Sequence, residues 1–156
     1  MQRTTPCSVV GLYFTSMTAK LRVLVVDDLP DSAESLARLL ATMGHEALFV
    51  TQASKALEAA RQMRPHLVFL DLGMPEINGH QLARLFRAEF GFEALRLVAI
   101  TAWGRNEDRA ASRQAGFDAH VQKPAEIDII DSIIKTVFEA ADKPRALNRG
   151  LDKGVA

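Results

Sequence analysis

The sequence predicts an α/β fold in which five parallel strands form one doubly wound sheet with helices on both faces, a (βα)5 arrangement. Short apolar runs alternate with stretches of helical periodicity from Leu21 onward, and the connections between them are short. Continuous apolar runs are typical of strands that are buried on both faces of a parallel sheet. The predicted strands are residues 21–26, 47–51, 66–70, 97–100 and 119–121.

A helix is predicted after each strand. Asp31 or Ser32 can cap the first helix, whose apolar residues recur at helical spacing until Gly44 ends it. The other four helices are predicted at residues 53–63, after Gly79, at 107–115 and at 126–141.

The composition indicates one ordinary globular domain. With 48% apolar and 24% charged residues, the 156-residue chain can bury a core, and its 19 basic and 19 acidic residues give no electrostatic signature for nucleic acid or an anionic membrane. The lone Cys7 cannot form an internal disulfide or a zinc site by itself, and no apolar run is long enough to span a bilayer. We therefore expect a cytoplasmic protein with a disordered N-terminal extension at 1–19, a domain at 20–141 and a flexible tail at 142–156.

Polar residues follow four of the apolar runs. Asp27 and Asp28 follow the first run, and Asp71 follows the third. Thr101 and Lys123 follow the fourth and fifth. Because ligands of doubly wound sheets bind beyond the carboxyl ends of the strands, we expect these side chains to form one site.

These residue types favour phosphoryl chemistry assisted by a divalent cation. Three converging carboxylates repel one another and raise at least one pKa, unless a cation such as Mg2+ or Mn2+ binds between them. An aspartate can serve as the nucleophile that accepts a phosphoryl group. The Lys123 ammonium and the Thr101 hydroxyl are suited to holding phosphoryl oxygens.

Four sequence segments carry a family resemblance: VLVVDD, LDLGMPEINGHQLA, ITAWG and QKP, in this order. Over about residues 20–141 the chain resembles a receiver domain of bacterial two-component response regulators. The resemblance implies a flavodoxin-like, CheY-like fold with strand order 2-1-3-4-5. A lone DD or KP would be weak evidence, whereas the ordered set on a (βα)5 pattern is specific.

The resemblance implies a metal site and a phosphoacceptor. Asp28 and Asp71 would ligate Mg2+ directly, Asp27 would do so through water, and Gly73 would offer its backbone carbonyl. Asp71 would accept a phosphoryl group from the phosphohistidine of a histidine kinase or a histidine phosphotransfer protein.

Further residues match the family pattern around this site. Thr101 and Lys123 would hold the phosphoryl oxygens. Pro75 and Gly79 would shape the loop after the phosphoacceptor, and Pro124 fits the cis-proline that follows the lysine in the family.

Two positions depart from the family pattern. His120 stands where the family often has Tyr or Phe, a ring that moves inward as Thr101 follows the phosphoryl group. A histidine there makes the switch weak or pH-sensitive, or it is an ordinary edge-strand residue. Trp103 lies at the rim of the site, where the family tunes phosphorylation and dephosphorylation rates.

The other histidines are not paired at metal-ligand spacing and are predicted to be structural: His45, His66 and His80.

The fifth predicted helix is unusually rich in isoleucine. One stripe suits the core, while Ile129 and Ile133 lie at its edge or outside it. These additional isoleucines either widen the core stripe or form a contact surface for a partner, which a phosphorylation-dependent homodimer could use. The core stripe consists of Ile127, Ile130, Ile134 and Phe138.

The leading hypothesis is a phosphorylation-controlled switch or relay that signals to a downstream protein and is not an enzyme beyond its own phosphorylation and dephosphorylation. Helix 4, strand 5 and helix 5 would form the changing face, and the tail after residue 141 is too short and polar for a DNA-binding module. A receiver fragment of a hybrid histidine kinase remains open.

A Mg2+-dependent aspartyl-phosphate phosphohydrolase is disfavoured, because such enzymes commonly carry a second acid at the position of Gly73. A flavodoxin-type cofactor binder is disfavoured because the first loop reads DDLPDS.

Overall fold

Five parallel strands form one sheet in the spatial order β2-β1-β3-β4-β5. This computed structural model describes residues 20–102 and 106–142. The predicted fold class and strand order are confirmed, and each predicted strand boundary lies within one residue of the observed boundary. The strands are β1 (Arg22–Val26), β2 (Glu46–Val50), β3 (Leu67–Asp71), β4 (Arg96–Thr101) and β5 (Ala119–Gln122).

The helices pack on both faces of the sheet. One buried cluster lies between the sheet and helices α1 and α5, and the other lies between the sheet and helices α2, α3 and α4. Within the described ranges, no helix combines the length and the apolar character that a bilayer span requires. The helices are α1 (Pro30–Thr42), α2 (Ala53–Met63), α3 (Gly79–Phe90), α4 (Asn106–Ala115) and α5 (Ile127–Asp142).

Alternation along the strands divides the core between the two faces. Val23 and Val25 of β1 pack with α1 and α5, whereas Leu24 and Val26 pack with α2, α3 and α4. β3 is buried along its whole length. The central strands therefore hold the residues at their carboxyl ends on a rigid base.

The expected side-chain cap of the first helix is wrong. α1 begins at Pro30 after Leu29, and neither Asp31 nor Ser32 caps it. Proline suits the first turn because its fixed φ is already helical and its missing N–H would have no partner there. The Asp27 side chain instead accepts a hydrogen bond from the Leu29 N–H at 3.0 Å, which fixes the turn between β1 and α1.

β2 is not buried on both faces as its apolar sequence predicted. Leu48 and Phe49 point to opposite faces, and both are exposed. The reason is its position, since β2 pairs with β1 and lies at an edge of the sheet. The prediction of two-sided burial is correct for the strands at the centre.

The core stripe of α5 is shorter than predicted. Ile130 and Ile134 are buried, but Ile127 is 59% exposed, so its assignment to the core is wrong. Ile127 is the first residue of α5, one turn before the buried stripe begins. Ile129 is also exposed, as expected, whereas Ile133 packs partly against the core.

Several sequence predictions lie outside the described residues. These are the disordered extension at 1–19, the rim position of Trp103 and the flexible tail predicted at 142–156, except for Asp142, which is the last residue of α5.

Candidate functional site

Three carboxylates meet beyond the carboxyl ends of the two central strands. Asp27 and Asp28 follow β1, and Asp71 ends β3, which pairs directly with β1. One carboxylate oxygen of each lies within 4.8 Å of the others. Asp27 and Asp71 are buried and Asp28 is half-buried. Oxygen donors gathered in this way fit a hard divalent cation such as Mg2+, which binds one or two carboxylates and keeps several waters.

Lys123 reaches the carboxylates from the connection between β5 and α5. Its Nζ lies 2.7 Å from Asp27 Oδ2 and 3.6 Å from Asp71 Oδ2. Its backbone N–H donates to the Thr101 carbonyl at 2.8 Å, which ties the connection to the end of β4. The peptide bond to Pro124 is cis, as the family resemblance implied.

Lys123 keeps Asp27 ionised. Burial alone would raise the pKa of Asp27, but the hydrogen bonds from Lys123 and the Leu29 N–H outweigh it and hold that pKa below its ordinary value. For Lys123, burial lowers the pKa, whereas the hydrogen bond to Asp27 and the charge of Asp71 raise it further than burial lowers it. The two groups therefore form a charged pair.

The pKa of Asp71 is raised, in contrast to the lowered pKa of Asp27. Burial raises its pKa, and the charge of Asp27 adds to this effect. The hydrogen bond from the Gly73 N–H at 3.1 Å and the charge of Lys123 only partly offset it. A bound cation would therefore favour the ionised form of Asp71.

The loop after Asp71 is held close to the strand. The Gly79 N–H, at the start of α3, donates to the Leu72 carbonyl at 3.2 Å. A Cβ on Gly79 would lie 2.6 Å from the Asp71 carbonyl oxygen. Gly73 contributes its N–H to the Asp71 carboxylate, and its role as a carbonyl ligand stays a prediction.

Thr101 is buried at the end of β4. The ladder between β3 and β4 places Ile100 opposite Asp71, so Thr101 lies one residue beyond the position of Asp71. The Leu72 N–H also donates to the Ile100 carbonyl at 3.2 Å. β4 therefore brings Thr101 to the same end of the sheet as the carboxylates, and the role of its hydroxyl stays a prediction.

His120 lies on β5, opposite Ala99 of β4. Its ring is half-buried, and its Nδ1 lies 3.4 Å from the Ser112 hydroxyl of α4. No sequence signal marks Ser112, because a single serine in a polar helix is ordinary. Arg87 was also missed, since no short motif marks an arginine whose partners are loop carbonyls and the Asp118 carboxylate.

A cavity of about 450 Å3 opens beside the carboxylates. Asp27, Asp71 and Lys123 line it together with two serines of α1 and apolar side chains of the sheet and α1. Asp71 therefore borders open space, although most of the residue is buried.

Lys123→Met is expected to lower the free energy of unfolding at pH 7 by about 1.5–3 kcal/mol, the usual contribution of a hydrogen bond to a charged group. The folded pKa of Asp27 is lowered, so its contribution is present above its unfolded pKa and is lost as the pH falls through the folded pKa. The gap between wild type and variant should therefore narrow below about pH 4. Urea unfolding of both proteins across pH 3–7 measures this difference in the free energy of unfolding.

A lysine on the surface provides the control for this experiment. Lys135 pairs with Asp131 on α5 and is largely exposed, so Lys135→Met should change the unfolding midpoint little. A stability gap for Lys123→Met that stays constant from pH 7 to pH 3 would contradict the role given to its pair with Asp27.

Comparison with known proteins agrees with this geometry. The family profile described as response regulator receiver domain matches residues 23–135. The DNA-binding response regulator MtrA of Mycolicibacterium smegmatis is 38% identical over 107 residues, which are 69% of this chain and 46% of MtrA. A 14.6 kDa protein in the sodA1 3' region of Leptolyngbya boryana is 34% identical over 108 residues, with 69% and 82% coverage. The chain spans about half the length of MtrA.

Solved structures share the fold. A CheY-like response regulator receiver domain protein from Methanospirillum hungatei JF-1 superposes with a TM-score of 0.71 at 22% identity, covering 79% of this chain and 98% of that chain. At this identity the likeness supports the fold alone, while the family profile covers most of the sequence, from β1 into α5. The chain therefore belongs to the response regulator receiver domain family.

Proposed function

We propose that the chain is a phosphorylation-controlled switch of a two-component system in which Asp71 is the phosphoacceptor. Phosphorylation on an aspartate is characteristic of the family. The observation that carries the proposal is the setting of Asp71, a desolvated carboxylate at the end of a central strand, with Lys123 Nζ 3.6 Å away. The donor is the phosphohistidine of a histidine kinase or a histidine phosphotransfer protein.

The transfer step needs positioning and charge neutralisation more than covalent assistance. A carboxylate oxygen of Asp71 forms the new bond to phosphorus, the P–N bond of the phosphohistidine breaks, and the imidazole leaves with the electron pair. Lys123 and the Thr101 hydroxyl hold phosphoryl oxygens. Lys123 is already drawn to this point by Asp27, so its charge is in place before the donor arrives.

Mg2+ fits the same site. Asp28 and Asp71 would hold it directly, Asp27 through water, and Gly73 through its backbone carbonyl, with Mn2+ as a substitute of similar ligand preference. When bound, the ion supplies positive charge that offsets the charge of the phosphoryl oxygens. The raised pKa of Asp71 supports this assignment, because a cation favours the ionised carboxylate.

We assign the output of the switch to a protein contact in the cytoplasm. Phosphorylation would bias an existing equilibrium between two conformations through Thr101 and His120, and the face formed by α4, β5 and α5 would change. Exposed Ile127 and Ile129 on α5 add apolar surface to this face, which suits a downstream protein or a second copy of the chain. The balanced charge of the chain gives no support for nucleic acid as the direct partner.

Phosphorylation of Asp71 can be tested by intact-mass analysis. The protein is incubated with acetyl phosphate and, separately, with phosphoramidate, each with and without Mg2+. The expected result is one phosphoryl adduct that requires Mg2+, survives acid and is lost in base. The adduct should be absent from Asp71→Ala and present in Asp128→Ala, which removes an exposed carboxylate on α5.

The proposal would be overturned by a folded protein that neither binds Mg2+ nor gains an adduct from either donor. It would also be overturned if Asp71→Ala were phosphorylated as efficiently as the wild type.

A further inference from the structure

A chain of hydrogen bonds connects α3, α4 and β5. His80 Nε2 lies 3.2 Å from Ser112 Oγ, and the same oxygen lies 3.4 Å from His120 Nδ1. Ser112 is only 1% exposed, and Nε2 of His120 is buried. We call these three residues the His-Ser-His chain.

The hydroxyl group couples the two imidazole rings. A serine hydroxyl has one proton and two lone pairs, whereas a neutral imidazole has one donor nitrogen and one acceptor nitrogen. Both rings contact the same oxygen, so a change in the position of that oxygen or of the His80 ring changes the hydrogen bond available to His120, although the two rings lie on different elements.

His80 is in turn connected to the loop after Asp71. It follows Gly79, whose N–H donates to the Leu72 carbonyl and whose Cα packs against backbone atoms of Asp71 and Leu72. The His80 ring also contacts the Phe117 ring edge-on, at 6.3 Å between centroids and an interplanar angle of 77°. Its position is thus fixed by the phosphoacceptor loop on one side and by the core on the other.

We propose that His80 and Ser112 are positioning residues for His120. They form a second connection between the loop after Asp71 and the switch position on β5, in addition to the one through Thr101. This inference rests on the proposed function, in which the movement of His120 accompanies phosphorylation. A phenyl ring at this position could not join such a chain.

The chain holds His120 in its present orientation. Moving the ring away would leave the buried Ser112 hydroxyl with one hydrogen bond fewer. A typical net hydrogen bond corresponds to a shift of roughly 5-fold in a two-state population. Ser112→Ala should therefore raise, by roughly 5-fold, the fraction of unphosphorylated molecules in which the His120 ring has left its present orientation.

The test is 15N NMR of the histidine rings in the full chain, at one pH. Spectra are recorded without additions and with beryllofluoride plus Mg2+ as the phosphoryl mimic. Ser112→Ala and His80→Phe should both change the tautomer signature of His120 in the spectrum recorded without additions. His80→Gln, whose amide can still bond to the hydroxyl, should restore most of the wild-type signature. Ser132→Ala, an exposed serine on α5, is the matched control and should change nothing.

Lower thermal stability of Ser112→Ala with unchanged His120 resonances would reduce Ser112 to a structural residue and overturn the inference. If Ser112→Ala does not fold, an unchanged His120 signature in His80→Phe would overturn it equally. The spectra without beryllofluoride do not depend on phosphorylation. A wild-type protein that fails to respond to beryllofluoride would therefore count against the proposed function, while the comparison of variants still decides whether His80 and Ser112 position His120.

Discussion

Arg87→Met is expected to destabilise the domain by about 3–5 kcal/mol, because several acceptors around the buried guanidinium each lose a hydrogen bond worth about 1–3 kcal/mol. Arg87 lies in α3 with its side chain only 6% exposed. It donates to the carbonyls of Gly116, Gly91 and Leu95 at 2.8, 2.9 and 2.6 Å, and to Asp118 Oδ2 at 2.7 Å. Methionine would fill much of the space but would leave these acceptors without their donor.

Urea unfolding at pH 7 measures this effect, with Arg61→Met as the matched control. Arg61 pairs with Glu58 and Glu89 on the surface, where ion pairs contribute little. We expect a large fall in the midpoint for Arg87→Met and almost none for Arg61→Met. Similar falls in the urea midpoint for the two variants would contradict the stabilisation assigned to the buried hydrogen bonds of Arg87.

Gly79→Ala is expected to slow phosphorylation about 100-fold, a cost typical of small displacements at a reacting centre, and to destabilise the fold by about 1–3 kcal/mol. The added Cβ would lie 2.6 Å from the Asp71 carbonyl oxygen and 2.7 Å from the Leu72 Cα. Both are backbone atoms, so no side chain can rotate away. Either α3 or the end of β3 must move, and Asp71 moves with the strand.

The rate of adduct formation with acetyl phosphate and the urea midpoint measure the two effects. Gly73→Ala is the control for stability, because its nearest contact would be Asp71 Oδ1 at an ordinary 3.8 Å. A wild-type rate of adduct formation in Gly79→Ala would mean that the start of α3 can move without disturbing Asp71.

The fold was predictable because the sequence pattern and the architecture depend on the same physics. Buried parallel strands need continuous apolar runs, and the runs that precede Asp27 and Asp71 are buried almost completely. The position of the site followed from the polar residues at the ends of those runs. The pairing of Lys123 with Asp27 brings together residues that are 96 positions apart, and the topology supplied that contact.

What the sequence did not predict depends on packing between elements. The burial of Ser112 between two histidines requires the distance between α4 and β5, and the bonds of Arg87 require the paths of two loops. The exposure of Ile127 depends on where α5 begins relative to the core. Hydrophobic periodicity specifies which face of an element is apolar, but it does not specify how far along the element a neighbour covers it.

The position of β1 at the centre of the sheet has a consequence for the order of folding. β1 is the first strand of the domain, and it pairs with both β2 and β3. Its contact with β3 closes a loop in which the Arg22 N–H meets His66 Nδ1 across 44 positions, so entropy delays this pairing relative to local helix formation. β4 and β5 can then add one after the other at the far edge. The strand pairing that brings Asp27 and Asp71 together thus costs more chain entropy than the pairing of β1 with β2, which closes a shorter loop.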